Sequence, residues 1–493
     1  PARPATAGAA ATPDCPPPPG PAVVTPDDPR YADLVRRGNR RFVGRPDEVW
    51  LVTTTEQVVE AVREAVRSGR RPAVRSGGHC FEDFVDHPEV RVLIDLSGLD
   101  AVSFDPAMGA FAVGAGATLG EVYRRLYLGW GVTVPGGSCP TVGVGGHVAA
   151  GGYGPLSRLH GLVVDHLYAV EVVVVDRAGE VRAVVATREP DDPHRDLWWA
   201  HTGGGGGSFG VVTRYWFRSP GATGTDPAGL LPRPPGAVLT FTVRWPWDGM
   251  TERDVTRLAG NFGRWCERTA APGSPGARVY SELYLYRRPA GGHTLIGQVA
   301  GERDARRLLD EHLAALGEGV GVTPVRQEEL LPWLASVRRR AGEDDGKRWR
   351  LKAKAAYSRT GLPERRLAAV YHHLTRADYD HPYGSVGLNS YGGRINTVPS
   401  QATAVAQRDS VIKLFYLVAW DDPADDARHL GWLREFYRDV YADQGGVPVP
   451  GRADDGSYIG YPDTDLADPE WNRSGVAWST LYFKRNYRRL QRV

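Results

Sequence analysis

The 493-residue sequence predicts an α+β protein with two main domains. A chain of this length exceeds the roughly 100–200 residues that a single domain usually contains. Both halves intersperse short strand-like stretches with amphipathic helical stretches, which favours mixed sheets and helices over an all-α or all-β architecture. A segment rich in proline and glycine at 219–236 separates the two halves.

The first domain is predicted over 46–218, after a Pro/Ala-rich arm and lead-in at 1–45. Residues 1–30 are too poor in apolar side chains to pack on their own, so we expect a polyproline-like arm. The domain itself begins with a predicted strand, a helix capped at Thr55, a second strand and a Gly-Gly loop. Further strands are predicted at 91–97, 101–105 and 110–116, followed by a helix from Thr118.

Residues 219–450 are predicted to form a second α+β domain, an antiparallel sheet with helices on one face. Strands are predicted at 237–245, 278–287, 293–301, 385–393 and 410–420. Helices are predicted at 252–267, 302–316, 363–376 and 424–443. The remaining segment, 451–493, is unlike either neighbour in composition.

Composition and charge exclude several function classes. Sixty Lys+Arg against 58 Asp+Glu give a net charge of +2, which favours neither a nucleic-acid nor a membrane-surface partner. No apolar stretch reaches the roughly 18–20 residues of a membrane span. The four cysteines are too few for a disulfide scaffold and none forms Cys-x-x-Cys, so we expect no zinc or other metal site. The first residues lack the order of a signal peptide, which could already have been removed, so localisation stays open.

Two glycine-rich loops contain the first candidate functional residues. The segment RSGGHC at 75–80 places two glycines, and thus accessible backbone N–H groups, directly before His79. The segment PGGSCPTVGVGGHVAAGGYG at 135–154 has eight glycines in twenty residues around Cys139. Glycine costs ordering entropy, so such a segment indicates close approach to a flat or phosphorylated ligand. The alternatives are an ordinary loop histidine and a structural cysteine.

Other motifs are weaker. Ser208 lies in a Gly-x-Ser-x-Gly pattern, but the strand-like VVTRYWF follows it where a serine hydrolase needs a helix. The glycines of GAGATLG miss the spacing of a dinucleotide fingerprint. His160, Asp165 and His166 fit an ordinary loop better than a metal site. No phosphate-binding P-loop motif is present, which argues against an ATPase.

Together, three motifs resemble the berberine-bridge-enzyme-like flavin oxidases, part of the wider vanillyl-alcohol-oxidase, or p-cresol-methylhydroxylase (PCMH)-type, flavin fold. They are R-S-G-G-H, P-G-G-x-C-P-x-V-G-x-G-G-H-x-x-x-G-G-Y-G, and D-L-x-W-A-x-x-G-G-G-G-G-x-F-G-V-V-T. The match covers 46–218 and resumes at 390–396, 458–466 and 481–490. Within the family, the segment RSGGHCFEDFVD is most similar to the corresponding sequence of antibiotic-tailoring hexose oxidases of teicoplanin-type lipoglycopeptide biosynthesis.

The resemblance implies a PCMH-type FAD-binding domain of two subdomains, a substrate domain, and a C-terminal segment that returns to the FAD domain. It implies an FAD attached twice, at its 8α-methyl to His79 and at ring C6 to Cys139. Imidazole and thiolate are suitable nucleophiles for these bonds. The other cofactor-binding residues that it implies are Arg75, Ser76, Gly77, Gly78, Cys80, Pro135, Gly136, Gly137, Ser138, Val142, Gly145, Gly146, His147, Gly151, Gly152, Val211, Tyr482 and Asn486.

The resemblance also places a catalytic tyrosine near the C-terminus, where the text reads YIGYPD at 458–463. Tyr461 is the expected base, with Tyr391 and Tyr153 as possible members of the same site. The pKa of a phenol is about 10, so nearby cations or hydrogen bonds must lower it if the phenol is to act as a base near neutral pH. The alternative is that these tyrosines are packing aromatics. Gly460 replaces the family's usual asparagine, so a contact from that side chain is not expected.

The activity implied is oxidation of a sugar primary alcohol, C6 of a glucosamine-type residue on a lipoglycopeptide, through an aldehyde hydrate to a carboxylate. Oxygen would reoxidise the flavin and yield hydrogen peroxide. The alternatives are a polyketide-glycoside deoxysugar of the aclacinomycin type or a free oligosaccharide as substrate. From other classes, a non-catalytic sugar-binding protein and a serine hydrolase using Ser208 stay open. The sequence leaves the oligomeric state, the number of oxidation steps and the disulfide state of Cys15, Cys80 and Cys266 undetermined.

Overall fold

The computed structural model describes residues 20–343 and 349–493, and its first part forms two sheets. The smaller sheet has the order β1-β2-β4-β3, with β4 parallel to both β2 and β3. Its strands are β1 (Ala22–Val24), β2 (Glu48–Leu51), β3 (Pro72–Arg75) and β4 (Val92–Asp95). The larger sheet is antiparallel with the order β5-β6-β9-β7-β8. Its strands are β5 (Val102–Asp105), β6 (Ala110–Gly114), β7 (Leu167–Val175), β8 (Val181–Thr187) and β9 (Val211–Phe217).

The helices of this part connect and cover the two sheets. They are α1 (Tyr31–Leu34), α2 (Thr55–Ser68), α3 (Leu119–Trp130), α4 (Val144–Ala149), α5 (Ser157–His160) and α6 (Arg195–Ala200). Helix α2 is predicted correctly except for its cap, because Thr54, not Thr55, accepts the hydrogen bond from the Gln57 N–H at 3.3 Å. It ends at Gly69, whose φ of +63° is left-handed and favours glycine.

The second part forms a seven-stranded antiparallel sheet with the order β13-β10-β12-β11-β15-β16-β14. Its strands are β10 (Ala237–Pro246), β11 (Val279–Tyr286), β12 (Gly292–Ala300), β13 (Val325–Pro332), β14 (Arg350–Ser358), β15 (Gly384–Ser390) and β16 (Ile412–Trp420). Its helices are α7 (Glu252–Arg268), α8 (Ala305–Gly317), α9 (Trp333–Glu343), α10 (Glu364–Thr375) and α11 (Asp426–Val440). The mixed α+β class predicted from the sequence is confirmed.

Strand β16 shows how the large sheet presents two different faces. Tyr416 contacts Phe436 of α11, with ring centres 5.3 Å apart. Its neighbour Phe415 points the other way and contacts Tyr461, with ring centres 4.6 Å apart. The sheet is therefore covered by helices on one face and meets the C-terminal segment on the other.

The C-terminal segment packs against both parts of the chain and ends in α12 (Trp478–Phe483) and α13 (Tyr487–Leu490). The Ser457 N–H donates to the Leu481 carbonyl at 2.7 Å, and the Tyr357 N–H donates to the Gly456 carbonyl at 2.8 Å. A Cβ on Gly456 would lie 2.0 Å from the Leu481 oxygen, so this approach requires glycine. One continuous hydrophobic core includes side chains from all three parts.

The predicted N-terminal arm is wrong for the residues that can be compared. Residues 1–19 lie outside the described ranges, but Ala22–Val24 pairs with β2 and buries Val24 completely. Strand pairing supplies the packing that the arm's composition lacks. None of the helices within 20–343 and 349–493 is long and apolar enough to cross a bilayer.

Candidate active site

The two glycine-rich loops predicted from the sequence pack directly against each other. A Cβ on Gly77 would lie 2.3 Å from the Gly143 nitrogen, and a Cβ on Gly143 would lie 2.1 Å from Oγ of Ser76. Ser76 is fixed in turn, because its hydroxyl donates to the Ala115 carbonyl at 2.7 Å. Any larger side chain would separate the loops, so glycine here allows the close approach of two backbones.

This contact places His79 and Cys139 around one hydroxyl. Oγ1 of Thr141 lies 3.1 Å from Nε2 of His79 and 3.3 Å from Sγ of Cys139. His79 is exposed and Cys139 is half-buried, so both side chains open into accessible space. Sequence reasoning missed Thr141, although it lies only two residues after Cys139. The imidazole and the thiol, both nucleophilic groups, thus contact one hydroxyl.

The surroundings fit a flavin dinucleotide. A cavity of about 220 Å³ lies beside the first loop and is lined by Arg36, Arg37, Gly38 and residues 75–78. Glycine N–H groups are suitable partners for a pyrophosphate, whereas the guanidinium of Arg37 is already paired with Asp86. Arg75 also pairs with Asp95 at 2.6 Å, which fixes its direction. Gly146 is exposed, and no atom of the described residues lies within 4 Å of the position of its missing Cβ, so the backbone there is open to a flat ring system.

Lys413 lies among three tyrosines, two of which, Tyr153 and Tyr461, are predicted site residues. Its Nζ lies 4.8 Å from the ring centre of Tyr153, 4.1 Å from that of Tyr458 and 4.3 Å from that of Tyr461. Such distances are typical of cation–π contacts. Burial lowers the pKa of Lys413 to about 7, although the carboxylate of Glu282 acts in the opposite direction. No sequence motif indicated this lysine, because β16 shows only an apolar strand pattern.

Tyr461 is walled by aromatic rings on several sides. Ring centres of Phe415, Tyr458 and Phe81 lie 4.6, 5.0 and 5.2 Å from its own. Burial raises the pKa of Tyr461, and the charges of Tyr458, Glu282 and Cys139 raise it further. The neighbouring cation that we expected is present as Lys413, but burial has the larger effect on the pKa of Tyr461 in the free protein.

Comparison with known proteins defines the family. Residues 46–184 match the model of the FAD binding domain, and 457–493 match the model described as berberine and berberine like. The chain is 54% identical to aclacinomycin-N/aclacinomycin-A oxidase of Streptomyces galilaeus over 94% of its length and 85% of the relative's. The chain belongs to the berberine-bridge-enzyme-like FAD-linked oxidases. The resemblance inferred from the motifs is therefore confirmed.

Two further relatives agree. The chain of this oxidase is 32% identical to hexose oxidase of Chondrus crispus, covering 94% of this chain and 91% of the relative. The crystal structure of glycopeptide hexose oxidase DBV29 complexed with teicoplanin superposes with a TM-score of 0.93 at 52% identity, covering 97% of this chain and 96% of that one. The PCMH-type fold and FAD as cofactor follow from family membership.

Several residues predicted to bind the cofactor are engaged by the oxidase's own chain. The hydroxyl of Tyr482 accepts from the Asp463 N–H at 2.9 Å. The Asn486 side chain donates to the Ser400 carbonyl at 2.7 Å and to two neighbouring carbonyls. The Cys80 thiol donates to the Glu82 carbonyl at 3.4 Å, and burial raises its pKa. Their contribution to FAD binding stays a prediction.

His147 is hydrogen-bonded to the backbone of the second glycine-rich loop. Nε2 of His147 accepts from the Gly137 N–H at 3.1 Å, and burial together with Lys413 lowers its pKa to about 4. Gly151 and Gly152 have φ values of +110° and +71° and pack against Val405 and Val163. Of the other residues predicted to bind the cofactor, Pro135, Gly136 and Val211 are buried. Those that are partly exposed are Ser138, Val142 and Gly145.

Tyr391 and Tyr153 have their hydroxyl protons committed to the backbone. The Tyr391 hydroxyl donates to the Gln407 carbonyl at 3.2 Å, and its ring is fully buried. The Tyr153 hydroxyl donates to the Ser390 carbonyl. The two ring centres lie 5.3 Å apart, so Tyr391 packs behind Tyr153. This placement is typical of packing aromatics, and an acid/base role for either residue stays a prediction.

A buried ionic cluster joins the loop of His79 to the segment of Tyr461. Asp463 lies two residues after Tyr461 and accepts from Lys352 at 2.8 Å and Lys354 at 2.6 Å. Lys352 also pairs with Glu82, three residues after His79. The cluster is completed by Asp465 and Arg434, 2.8 Å apart. Lys354 and Lys352 hold the pKa of Asp465 well below its usual range although burial opposes them.

Gly460, which replaces the family's usual asparagine, is required by the local packing. A Cβ there would lie 2.4 Å from Cζ of Tyr458. The ring of Tyr458 thus folds over Gly460 and contacts Lys413, an arrangement that no larger residue would allow.

The competing motifs do not form sites. Ser208 is exposed and strand β9 follows it, so the helix that a hydrolase requires is missing at that point. His166 is held by Ser219 and by the His160 carbonyl, while Asp165 pairs with Arg408 at 2.7 Å. No group of three metal-ligating side chains is found within 20–343 and 349–493. Cys80 and Cys266 are free thiols, and Cys15 lies outside the described residues.

Proposed function

We propose that this oxidase holds FAD by two covalent bonds, from His79 to the 8α-methyl and from Cys139 to ring C6, and oxidises a sugar alcohol of a glycosylated antibiotic. The observation that carries the proposal is the position of Thr141, in contact with both nucleophiles. The hydroxyl orients both groups and can relay a proton between them. FAD, when bound, accepts a hydride and passes electrons to oxygen, which yields hydrogen peroxide.

The residues supporting this assignment also suggest how the chain is divided. We assign FAD binding to 46–218, substrate binding to 219–450, and the base to the C-terminal segment 451–493. The lead-in at 1–45 is assigned no chemistry. In support, both nucleophiles lie on loops of the first part, Lys413 lies on β16 of the second, and Tyr461 lies on the third.

The proton of the alcohol is taken by Tyr461 together with Lys413. Burial disfavours a phenolate at Tyr461, and an ammonium 4.3 Å from its ring centre acts in the opposite direction. The Tyr461–Lys413 pair can accept the proton once the pair itself has lost one. This state forms as the pH rises through the Lys413 pKa of about 7. A bond from Cys139 to FAD removes the thiolate charge that raises the pKa of Tyr461. Both features favour proton uptake near neutral pH.

The walls of the site suit a sugar. Phe81, Phe415 and Tyr458 surround Tyr461 with aromatic surfaces, against which the apolar face of a sugar ring packs well. Relatives named for aclacinomycin and for a glycopeptide hexose support a glycosylated antibiotic as the substrate class. Our first choice is C6 of a glucosamine-type residue on a lipoglycopeptide, oxidised through an aldehyde hydrate to a carboxylate.

The second candidate is a terminal deoxysugar of a polyketide glycoside, and it is favoured by 54% identity to the aclacinomycin oxidase. The test is a parallel assay of the purified yellow protein with a teicoplanin-type glycopeptide, aclacinomycins N and A, and a glucose oligosaccharide. Peroxide release would be measured together with product mass. A carboxylate on the glycopeptide sugar supports the first choice, and dehydrogenated aclacinomycin supports the second. Turnover of the free oligosaccharide alone would overturn the antibiotic assignment, and a colourless protein would overturn the function itself.

A further inference from the structure

Three polar side chains lie side by side across the large sheet, on the face toward the candidate site. The strand register pairs Glu282 of β11 with Asn389 of β15, and Asn389 with Lys413 of β16. Directly opposed residues of an antiparallel sheet point to the same face. Strands are about 4.8 Å apart, so Glu282 and Lys413 start about 10 Å apart, with Asn389 between them.

Glu282 is fixed in this row by hydrogen bonds on both carboxylate oxygens. The Tyr280 hydroxyl donates to Oε1 and the Tyr284 hydroxyl donates to Oε2. Both tyrosines lie two residues from Glu282 on the same strand and therefore on the same face. The carboxylate is only 8% exposed, and no arginine or lysine forms an ion pair with it in the described part of the chain. A buried carboxylate without a salt bridge acts on charges farther away, because water does not screen it.

Lys413 is the charge that this carboxylate faces. It is 3% exposed, and in the described residues its ammonium makes no ion pair; its contacts there are tyrosine rings. The titratable groups around it come from four elements besides β11. They are Tyr153 after α4, His147 on α4, Tyr357 opposed to it on β14, and Tyr458 and Tyr461 on the C-terminal segment.

Apart from the cation–π contacts with the tyrosine rings, only the carboxylate of Glu282 favours the charged form of Lys413. His147 is neutral near pH 7, since burial lowers its pKa to about 4. Tyr153 and Tyr357 are neutral as well, because burial raises the pKa of each. We propose that Glu282 is a positioning residue of the active site, whose fixed negative charge sustains the ammonium of Lys413 beside Tyr461.

The consequence is a control of the pH at which the base works, and it rests on the proposed function. The Tyr461–Lys413 pair accepts a proton once it has lost one. Removal of the Glu282 charge lets that proton leave at lower pH and makes the pair a weaker acceptor. Glu282→Gln should therefore shift the acid limb of the kcat/KM profile downward by about one pH unit and lower its plateau about 3- to 10-fold.

A direct test follows Lys413 itself, independently of turnover. The chain has only five lysines, so protein labelled with [ε-¹³C]lysine gives few resonances, and Lys413→Arg identifies the one of interest. In the flavin-loaded protein we expect its titration midpoint near pH 7, and in Glu282→Gln about one unit lower. Glu329→Gln, on the exposed edge strand β13 of the same sheet, is the matched control and should change nothing.

An unchanged Lys413 midpoint in Glu282→Gln would overturn the inference. Glu282→Asp keeps the charge but withdraws it by one methylene. Its Lys413 midpoint should therefore lie at least halfway from the value of the glutamine variant back to that of the parent protein. A midpoint as low as that of the glutamine variant would also contradict the inference, because the charge would then not be the cause. If the Lys413 midpoint falls in Glu282→Gln as expected but the parent protein shows no catalytic turnover, the inference stands and the proposed function is overturned instead.

Discussion

Nζ of Lys413 lies 4.3 Å from the ring centre of Tyr461, so a buried cation faces the tyrosine expected to act as the base. The two residues come from different parts of the chain, β16 and the C-terminal segment. Their contact joins the large sheet to the predicted catalytic segment.

Tyr461→Phe should keep the flavin but abolish most alcohol oxidation. The ring still fills its aromatic surroundings, while the proton acceptor is lost. We expect kcat/KM to fall by about 10²- to 10⁴-fold, measured by peroxide release with flavin content checked by absorbance. Tyr383→Phe, at an exposed tyrosine, is the control. Near-normal turnover of Tyr461→Phe would transfer the role of base to another residue, with Tyr391 as the next candidate.

The covalent assignment predicts a pattern among three variants. His79→Ala and Cys139→Ala should each retain flavin after denaturation, because one bond remains. The double variant should release it. Cys80→Ala is the matched control, because its thiol is directed to the Glu82 carbonyl and it should retain both bonds. Loss of all flavin in either single variant would contradict two attachments.

Asp463→Asn should destabilise the protein by about 3–5 kcal/mol, since removal of one partner leaves buried lysine charges uncompensated. Asp463 binds both Lys352 and Lys354, and all three side chains are at most 2% exposed. Thermal unfolding would measure the loss. Asp409→Asn, whose side chain is 60% exposed in its pair with Arg359, should cost about 1 kcal/mol or less. Equal losses would show that the buried cluster contributes no more than a surface pair.

Stability should fall as the pH drops below about 6.5. Burial lowers the pKa of His312 to about 3, and neither of its ring nitrogens has a hydrogen-bond partner among the described residues. The unfolded chain therefore binds a proton that the folded chain does not, between pH 6.5 and 3. Each such group lowers the free energy of unfolding by up to about 1.4 kcal/mol for each pH unit of acidification in that window. Its full contribution to stability is present above pH 6.5.

His312→Leu tests this directly through unfolding midpoints at pH 7.5 and 5. The variant should lose less stability on acidification than the parent protein. His87→Gln, at a half-exposed histidine, is the control and should follow the parent. An identical decline in His312→Leu would assign the acid sensitivity to other groups.

The sequence predicted the parts of the site that local motifs encode. His79, Cys139 and Tyr461 each lie in a short segment whose glycines or flanking residues are distinctive. Lys413 and Glu282 lie on strands with ordinary apolar patterns, and their relationship depends on the register of three strands. Register is a long-range property that one sequence does not reveal.

The elements that were not predicted have equally physical causes. Strand β14 contains Lys352 and Lys354, which interrupt its apolar pattern and are buried only because Asp463 and Asp465 compensate them. Strand β13 is an exposed edge strand, so it needs no apolar face. In both cases tertiary partners override the local pattern.

The most direct test of the account is the visible spectrum of the purified protein before and after acid precipitation, with the intact mass of the pellet. The account predicts a yellow pellet and a mass increase of one FAD. A colourless protein, or yellow colour left entirely in the supernatant, would contradict the covalent attachment at His79 and Cys139.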